Sequence, residues 1–259
     1  MPETIILTGA SDGIGAASAR ALVASGREVV IVGRSPSKTA RIVDELGADH
    51  FVADYSRLSD VRRLAADLLD RYPRIDVLAN NAGGMFRSHE PTEDGHDPTI
   101  QLNYLAPFLL TNLLMDRLVS CDARVINTSS GSNLGARLDL ANLDSPARAY
   151  SNAKLAVILF TRELARRGIR SAAFHPGVVA THFSRDLRMH VFYERVLGRF
   201  MIPPETGADT LVWLATTQPG VDWVPGEYYY KRQVGRVNRQ AEDAGLARLL
   251  WDRSSSLLT

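Results

Sequence analysis

Short apolar runs rich in β-branched residues alternate with longer stretches of helical periodicity along most of this chain. The apolar runs predict six strands, and each amphipathic stretch between them is long enough for a helix. The predicted strands span residues 5–8, 29–32, 51–53, 77–79, 124–128 and 171–175. This alternation is typical of βαβ crossovers, which build a parallel sheet with helices on both faces.

Two further segments extend the pattern towards the end of the chain. The tyrosines 228–230, after Pro225 and Gly226, predict a seventh strand, and residues 241–258 predict a polar-faced helix on the same domain. No stretch reads as a repeat or a linker. We therefore expect residues 1–259 to form a single α/β domain, a Rossmann-type doubly wound parallel sheet of about seven strands.

Residues 132–148 and 181–204 break the rhythm of strands and helices. Both stretches follow strand ends, and open α/β sheets bind their ligands at the carboxyl ends of the strands. We expect these two stretches to wall a substrate pocket. The apolar run 191–204, together with Met85 and Phe86, predicts a lining suited to a lipophilic substrate.

Composition and charge narrow the classes of partner. With 45% hydrophobic and 23% charged residues, the 259-residue chain has the composition of a globular protein with a sizeable core. Its 30 basic and 29 acidic residues are interspersed, which predicts a small-molecule partner and no nucleic-acid or membrane binding. Cys121 is the sole cysteine, so neither a disulfide nor a zinc site is expected. The chain enters its first strand without a signal peptide, so we expect a cytoplasmic protein.

A glycine-rich loop follows the first strand and precedes a helix-forming stretch. Glycines permit positive φ and a close backbone approach, so a pyrophosphate can lie on the N–H groups and positive dipole of the helix N-terminus. Glycines at such a turn also serve tight packing alone, and that alternative stays open here. The residues predicted to contact a dinucleotide in this loop are Gly9, Ser11, Asp12, Gly13, Ile14 and Gly15.

The end of the second predicted strand indicates which dinucleotide binds. An NAD enzyme places Asp or Glu there to hold the ribose hydroxyls, but this chain has Gly33, Arg34 and Ser35. Gly33 leaves room for a 2′-phosphate and Arg34 can bind it by a charge-assisted contact, with Ser35 and Lys38 as weaker helpers. NADP(H) is therefore favoured over NAD(H). The alternative is that Arg34 is a solvated surface charge.

Tyr150 and Lys154 lie four residues apart in a stretch of helical periodicity, which puts both side chains on one face. A tyrosine of ordinary pKa is a poor base at neutral pH, but an adjacent ammonium favours the phenolate. The pair alone is also compatible with a structural role.

A serine at the end of the fifth strand, Ser129 or Ser130, can hydrogen-bond a substrate carbonyl. Pro107 has no N–H to donate to the Asn103 carbonyl, so that carbonyl lacks its helical partner. Either the carbonyl faces the site as a free acceptor, or the proline only kinks a helix that packs in the core.

These elements together resemble the short-chain dehydrogenase/reductase family over essentially the whole chain. The resemblance rests on two motifs, the spacing G-x-x-x-G-x-G after Thr8 and the sequence Y-x-x-x-K from Tyr150. Residues 162–167 and 247–251, together with the 20-residue interval from Ser130 to Tyr150, resemble the retinol dehydrogenase-like branch. One departure is Asp12, since many NADP-dependent members carry a basic residue at that place.

The resemblance assigns roles to residues of this chain. It implies Ser130 rather than Ser129 as the catalytic serine, and a catalytic set of Asn103, Ser130, Tyr150 and Lys154, with the last two also touching the cofactor. Asp54 would contact the adenine, or else cap the following helix. The remaining cofactor contacts that it implies are Tyr55, Asn81, Ala82, Gly83, Pro176, Gly177, Val178 and Thr181.

The function expected from this resemblance is an NADP(H)-dependent oxidoreductase that interconverts an alcohol with a ketone or aldehyde. A carbonyl reductase acting on a lipophilic substrate is the favoured form. The competing hypothesis is a non-catalytic dinucleotide-binding sensor or scaffold on the same fold, because a fold never proves an activity. Relatives pair into homodimers or homotetramers through the helices that correspond to residues 103–118 and 150–166.

Overall fold

The computed structural model describes residues 2–86, 88–178 and 202–258. Its strands are β1 Thr4–Thr8, β2 Glu28–Gly33, β3 Asp49–Val52, β4 Val77–Asn80, β5 Arg124–Thr128, β6 Arg170–His175, β7 Tyr228–Tyr230 and β8 Gln233–Val234. Within the described residues they form one eight-stranded sheet of order β3-β2-β1-β4-β5-β6-β7-β8. The pairs from β3 to β7 are parallel, and β8 runs antiparallel to β7. The predicted doubly wound α/β fold is confirmed.

The helices that cover the sheet arise from the amphipathic stretches between the strands. Their bounds are α1 Gly13–Ala24, α2 Pro36–Leu46, α3 Leu58–Arg71, α4 Pro98–Ile100, α5 Ala106–Leu113, α6 Met115–Ser120, α7 Ala149–Arg166, α8 Pro204–Thr216 and α9 Ala244–Leu257. Helices α1, α2 and α8 pack on one face of the sheet, and α3, α5, α7 and α9 pack on the other. Both faces of the strands are therefore buried, which is why the strands read as continuous apolar runs rather than as alternating ones.

The strand order reverses beside β1, which pairs with β2 on one side and with β4 on the other. The connections on the two sides leave in opposite directions, so a crevice opens at the carboxyl ends of these strands. The glycine-rich loop after β1, residue Arg34 after β2 and Asn81 after β4 all lie at this edge. The fold thus places the candidate residues of the sequence at one end of the sheet.

The sequence pattern missed the eighth strand. Lys231 and Arg232 link β7 to β8, and both have positive φ, 52° and 61°. A two-residue hairpin loop with both residues in this conformation is usually signalled by Asn-Gly or Asp-Gly, and neither is present. Arg232 is held to Asp209 by a forked ion pair, with Nε 2.8 Å from Oδ2. That contact with α8 stabilises a turn that the local sequence does not favour.

Two other elements start more than one residue away from the predicted position. Strand β3 spans Asp49–Val52 instead of 51–53, although Ala53 N–H still donates to the Gly33 carbonyl. The C-terminal helix starts at Ala244 because Asp243 caps it through the Leu246 N–H, and a 3-10 turn, Arg239–Glu242, precedes it. Among the described residues, no helix combines the length and the apolar character that crossing a membrane requires.

Helix α9 covers the outer faces of α5 and α7. The Trp251 ring lies 5.1 Å from that of Phe108 and 5.7 Å from that of Phe160, and the Arg167 guanidinium lies 4.0 Å from its centroid. The Tyr104 hydroxyl also hydrogen-bonds that of Ser254 at 2.7 Å. Homo-oligomer formation through residues 103–118 and 150–166 stays a prediction. Helix α9 of the same chain already covers part of the surface of those helices, so that part is not available to a second copy.

We expect Trp251→Ala to lower the free energy of unfolding by about 3–5 kcal/mol, because it empties a site that three helices fill. Leu249→Ala is the matched control on the same helix. Leu249 is 57% exposed, and its replacement should change the free energy of unfolding by no more than about 0.5 kcal/mol. Urea unfolding measures both. A loss for Trp251→Ala no larger than that of the control would mean that α9 does not stabilise the core.

Candidate active site

The glycine-rich loop packs so closely on the end of β4 that side chains are excluded from it. A Cβ at Gly15 would lie 2.1 Å from the Gly9 carbonyl oxygen, and one at Gly9 would lie 2.7 Å from the Ala82 Cα. Gly9 and Gly13 also have positive φ, 65° and 53°. The glycines of this loop therefore serve tight packing, and their contact with a pyrophosphate stays a prediction.

Thr8 and Asn81 tie this loop to β4. The Thr8 hydroxyl accepts from the N–H groups of Asn81 and Ala82, both at 3.0 Å. The Asn81 amide donates to the Thr8 carbonyl at 3.0 Å and to the Gly9 carbonyl at 3.4 Å. It accepts from the Thr128 hydroxyl at 3.4 Å. Asn81 thus links the carboxyl ends of β1, β4 and β5.

Gly33 at the end of β2 is needed for close packing. A Cβ there would lie 2.1 Å from the Thr39 hydroxyl and 3.0 Å from the Ser11 Cβ, so the protein itself fills that position. Room for a 2′-phosphate beside Gly33 stays a prediction. Ser35 caps α2 by accepting from the Lys38 N–H, at 3.5 Å. Arg34 is exposed, and no hydrogen bond or ion pair ties it to the described residues.

Asp54 and Tyr55 follow β3. One carboxylate oxygen of Asp54 accepts from the N–H and the hydroxyl of Ser56, at 3.0 and 2.8 Å. Asp54 does not cap α3, whose N-cap is Arg57. The Tyr55 side chain is 3% exposed and lies in the core, where burial raises the pKa of its phenol. A Tyr55 contact with a cofactor would therefore use its backbone.

Ser130, Tyr150 and Lys154 come together at the end of β5. Ser130 is hydrogen-bonded to the phenol of Tyr150, and the Lys154 ammonium lies 5.5 Å from the centroid of the Tyr150 ring. The Ser129 hydroxyl instead donates to the Lys154 carbonyl, at 2.7 Å. The structure thus directs Ser130, and not Ser129, to the tyrosine.

Burial governs the protonation of this pair. It raises the pKa of Tyr150 to about 12, although the hydrogen bond from Ser130 opposes that rise. It lowers the pKa of Lys154 to about 7, and the Lys154 amine donates to the Thr128 carbonyl at 2.9 Å. The expected lowering of the tyrosine pKa by an adjacent ammonium is not found here. Removal of both groups from water outweighs their mutual effect.

Asn103 braces the loop after β4. Its amide donates to the carbonyls of Gly84 and Thr99, at 2.7 and 2.8 Å, and accepts from the Gly84 N–H at 3.2 Å. Asn103 lies in a π-helical turn, Gln101–Leu105, that accommodates Pro107 by widening the helix. A Cβ at Gly83 would lie 2.8 Å from the Asn103 Oδ1 and 3.3 Å from the Lys154 Nζ. Gly83 is therefore packed closely against these two side chains, and a side chain would not fit there.

Sequence reasoning missed an amide brace behind Ser130. The Asn133 N–H and amide both donate to the Ser130 carbonyl, at 3.1 and 2.8 Å. Asn133 in turn accepts from the Asn238 N–H at 2.9 Å. The Asn238 amide caps the carbonyls of Asn133, Leu134 and Ala136, at 3.2, 3.4 and 3.0 Å. Asn133 and Asn238 are 105 residues apart, and no local motif signals such a pair.

His175 is a second residue that the sequence did not single out. Its ring stacks on Tyr230 at 5.1 Å, and its Nδ1 accepts from the Gly177 N–H at 3.3 Å. Burial lowers the pKa of His175 to about 4, so the ring is neutral at physiological pH. The turn that it supports contains the predicted contacts Pro176, Gly177 and Val178. The predicted contact Thr181 lies outside the described residues.

The chain was compared with known families and proteins. The family model of the short chain dehydrogenases matches residues 3–191. This chain belongs to that family. Its relatives place it in the retinol dehydrogenase-like branch, as the sequence motifs implied.

Two relatives match nearly the whole chain. The candidate daunorubicin C-13 ketoreductase DnrU of Streptomyces sp. (strain C5) is 40% identical, covering 98% of this chain and 92% of its own. Human retinol dehydrogenase 13 is 34% identical, covering 99% and 84%. Among solved structures, an uncharacterised protein of Mycobacterium paratuberculosis superposes with a TM-score of 0.77 at 31% identity, covering 100% of this chain and 95% of that one. An actinorhodin polyketide ketoreductase with NADPH gives 0.69 at 25% identity, covering 88% and 94%.

Membership in this family implies an oxidoreductase that uses a nicotinamide dinucleotide. The described residues fit such a group. The close packing of Gly9 and Gly15 and the positive φ of Gly9 and Gly13 bring the backbone of the loop to the N-terminus of α1, where a pyrophosphate would bind. Gly83 lies close beside Lys154, whose amine donates to the Thr128 carbonyl among the described residues.

Replacement of Lys154 tests the cost of burying its amine. The unfolded chain holds the Lys154 proton up to about pH 10.5, whereas the folded, cofactor-free protein releases it near pH 7. The unfavourable contribution is complete below pH 7 and disappears as the pH rises towards 10.5. We expect Lys154→Met to raise the free energy of unfolding at pH 6 by a few kcal/mol, and by much less at pH 9.5. Urea unfolding without cofactor measures this gain, with the partly exposed Lys38→Met as control. An equal gain at both pH values would contradict the buried-amine argument.

Proposed function

We propose that this protein is an NADPH-dependent carbonyl reductase that acts on a lipophilic ketone. The observation that carries the proposal is the contact of Ser130 with Tyr150 beside Lys154, next to a glycine cradle at the same sheet edge. A hydroxyl pair of this kind can hold a carbonyl oxygen and give it a proton. In this proposal the buried Lys154 amine binds the ribose of the dinucleotide.

The proposed roles follow from the geometry. Bound NADPH supplies the hydride that adds to the carbonyl carbon. Ser130 holds the carbonyl oxygen by a hydrogen bond, and Tyr150 donates its phenolic proton to that oxygen as the alcohol forms. A phenol with a pKa of about 12 is protonated at neutral pH, which is the state that reduction requires. Lys154 would bind the ribose hydroxyls and restore the proton to Tyr150, and Asn103 would hold the loop at Gly83 in place.

The surroundings of the site favour a bulky apolar substrate. Met85, Leu134 and Val178 are 37%, 51% and 51% exposed, and they lie on the loops that follow β4, β5 and β6. Most of the apolar stretch 191–204 lies outside the described residues. A relative named for the C-13 ketone of daunorubicin supports a ketone on a large ring system as the substrate class. The proposed substrate loops remain 132–148 and 181–204.

Arg34 supports NADPH over NADH. No carboxylate stands at the end of β2, where it would accept the ribose hydroxyls of NADH and repel a 2′-phosphate. The guanidinium of Arg34 is exposed and unengaged by the described residues, so it can bind a phosphate without first breaking another contact. A cytoplasmic location, the absence of membrane binding and homo-oligomer formation stay predictions.

Catalysis is tested by following NADPH consumption with daunorubicin, all-trans-retinal and a small polar ketone. We expect turnover with the lipophilic carbonyls, and a fall in kcat of about 10²- to 10⁴-fold for Tyr150→Phe with NADPH binding preserved. Tyr72→Phe is the control, since it removes a phenol hydroxyl bound to Asp49 at the opposite edge of the sheet. Full activity in Tyr150→Phe would contradict the proposed mechanism. NADPH binding without reduction of any carbonyl would favour the non-catalytic sensor.

Cofactor choice is tested by fluorescence titration of the purified protein with NADPH and NADH. We expect tighter NADPH binding, and a loss of about tenfold in NADPH affinity for Arg34→Ala, because a charge-assisted phosphate contact disappears. The affinity for NADH should change by no more than about twofold. Equal losses for both cofactors, or tighter binding of NADH by the unchanged protein, would overturn the role of Arg34.

A further inference from the structure

An ion pair joins the glycine-rich loop to α2 at the adenosine end of the candidate cofactor site. The Lys38 Nζ lies 2.6 Å from the Asp12 Oδ2. The other oxygen of Asp12 accepts from the Gly13 N–H at 2.8 Å, which caps α1. The two side chains are 42% and 35% exposed, so a bound ligand can reach both of them.

The packing around Gly33 brings this pair to the end of β2. Because Gly33 has no side chain, Thr39 of α2 and Ser11 of the glycine-rich loop both approach it closely. The first turn of α2 and the glycine-rich loop are thereby held on either side of the residue that precedes Arg34. Arg34 and Lys38 contribute two positive charges here, and the Asp12 carboxylate lies between the loop and the helix.

We propose that Asp12 competes with the 2′-phosphate of NADPH for Lys38, and that this competition sets how strongly the protein discriminates between NADPH and NADH. The inference rests on the proposed NADPH-dependent function. Lys38 is a second basic contact for the phosphate, besides Arg34. Asp12 is a specificity-determining residue that weakens the preference for NADPH.

The charges give the direction of the effect. Arg34, Lys38 and Asp12 sum to one positive charge, whereas a phosphate monoester carries roughly −1.5 to −2 at neutral pH. When NADPH binds, the phosphate must share the Lys38 ammonium with Asp12, or displace it, and it also meets the repulsion of the carboxylate. NADH has a hydroxyl at that position and leaves the ion pair intact. The carboxylate therefore opposes NADPH more than it opposes NADH.

Asp12→Asn removes the charge while keeping the cap, since Asn and Asp are equally good at the N-cap position. The readout is the ratio of the NADH and NADPH dissociation constants, by fluorescence titration of the full chain at low salt. The ratio cancels any effect of Asp12 on the pyrophosphate, which both cofactors share. We expect Asp12→Asn to raise the ratio about three- to tenfold, and Lys38→Met to lower it by a similar factor. In a Lys38→Met background, Asp12→Asn should raise the ratio by less than it does in the unchanged protein, because only the direct repulsion of the phosphate is then removed.

Asp44→Asn and Arg41→Met are the matched controls, because they remove the same charges from exposed positions of α2. Neither should change the ratio by more than about twofold. A ratio that stays constant or falls in Asp12→Asn would overturn the inference, as would a gain that persists fully without Lys38. If Arg34→Ala leaves the ratio unchanged while Asp12→Asn raises it, the role of Arg34 fails and that of Asp12 stands. No binding of either cofactor by the unchanged protein would overturn both proposals.

Discussion

The close packing of the β1 loop on the end of β4 fixes where the other parts of the site lie. Gly15 approaches the Gly9 carbonyl so closely that a Cβ would overlap it, and Gly9 approaches Ala82 in the same way. The Thr8 hydroxyl and the Asn81 amide then use the backbone groups that this approach brings together. Hydrogen bonds thus fix the base of the loop at the N-terminus of α1, where a pyrophosphate would bind.

The buried Lys154 shows how the same construction makes a reactive centre. Its amine is 2% exposed and has the Thr128 carbonyl as its protein acceptor, so burial lowers its pKa to about 7. An amine at this position lowers the free energy of unfolding below that pH, because its charge is buried, so stability alone does not explain its presence. Gly83 packs closely beside this amine. Ribose hydroxyls that reached the amine would supply further acceptors, which would couple cofactor binding to the charge of Lys154.

Sequence reasoning reached the parts of the structure that depend on local chemistry. A few consecutive residues are enough to recognise each of these features: the glycine spacing, the Tyr150 and Lys154 pair, and the apolar strands. What it missed depends on distant contacts. The β7–β8 turn places Lys231 and Arg232 at positive φ because Asp209 holds Arg232 from another helix. The Asn133 and Asn238 brace joins segments 105 residues apart. The packing role of Gly33 was also missed, since its neighbours Thr39 and Ser11 belong to segments whose approach only the fold determines.

The two sides of the site are held in different ways, and this separates chemistry from specificity. On the cofactor side, hydrogen bonds among Thr8, Asn81 and Thr128 connect the ends of neighbouring strands directly. On the substrate side, the stretch after Ser130 is held from outside by Asn238 and by Gln240, whose amide bridges both backbone groups of Leu138. These side-chain amides bond to individual backbone carbonyls and N–H groups. They fix the first turn after Ser130 and place no requirement on the side chains of that turn. These bonds therefore keep Ser130 beside Tyr150. They do not involve the side chain of Leu134, so that side chain can be replaced to suit a different substrate without loss of the bonds.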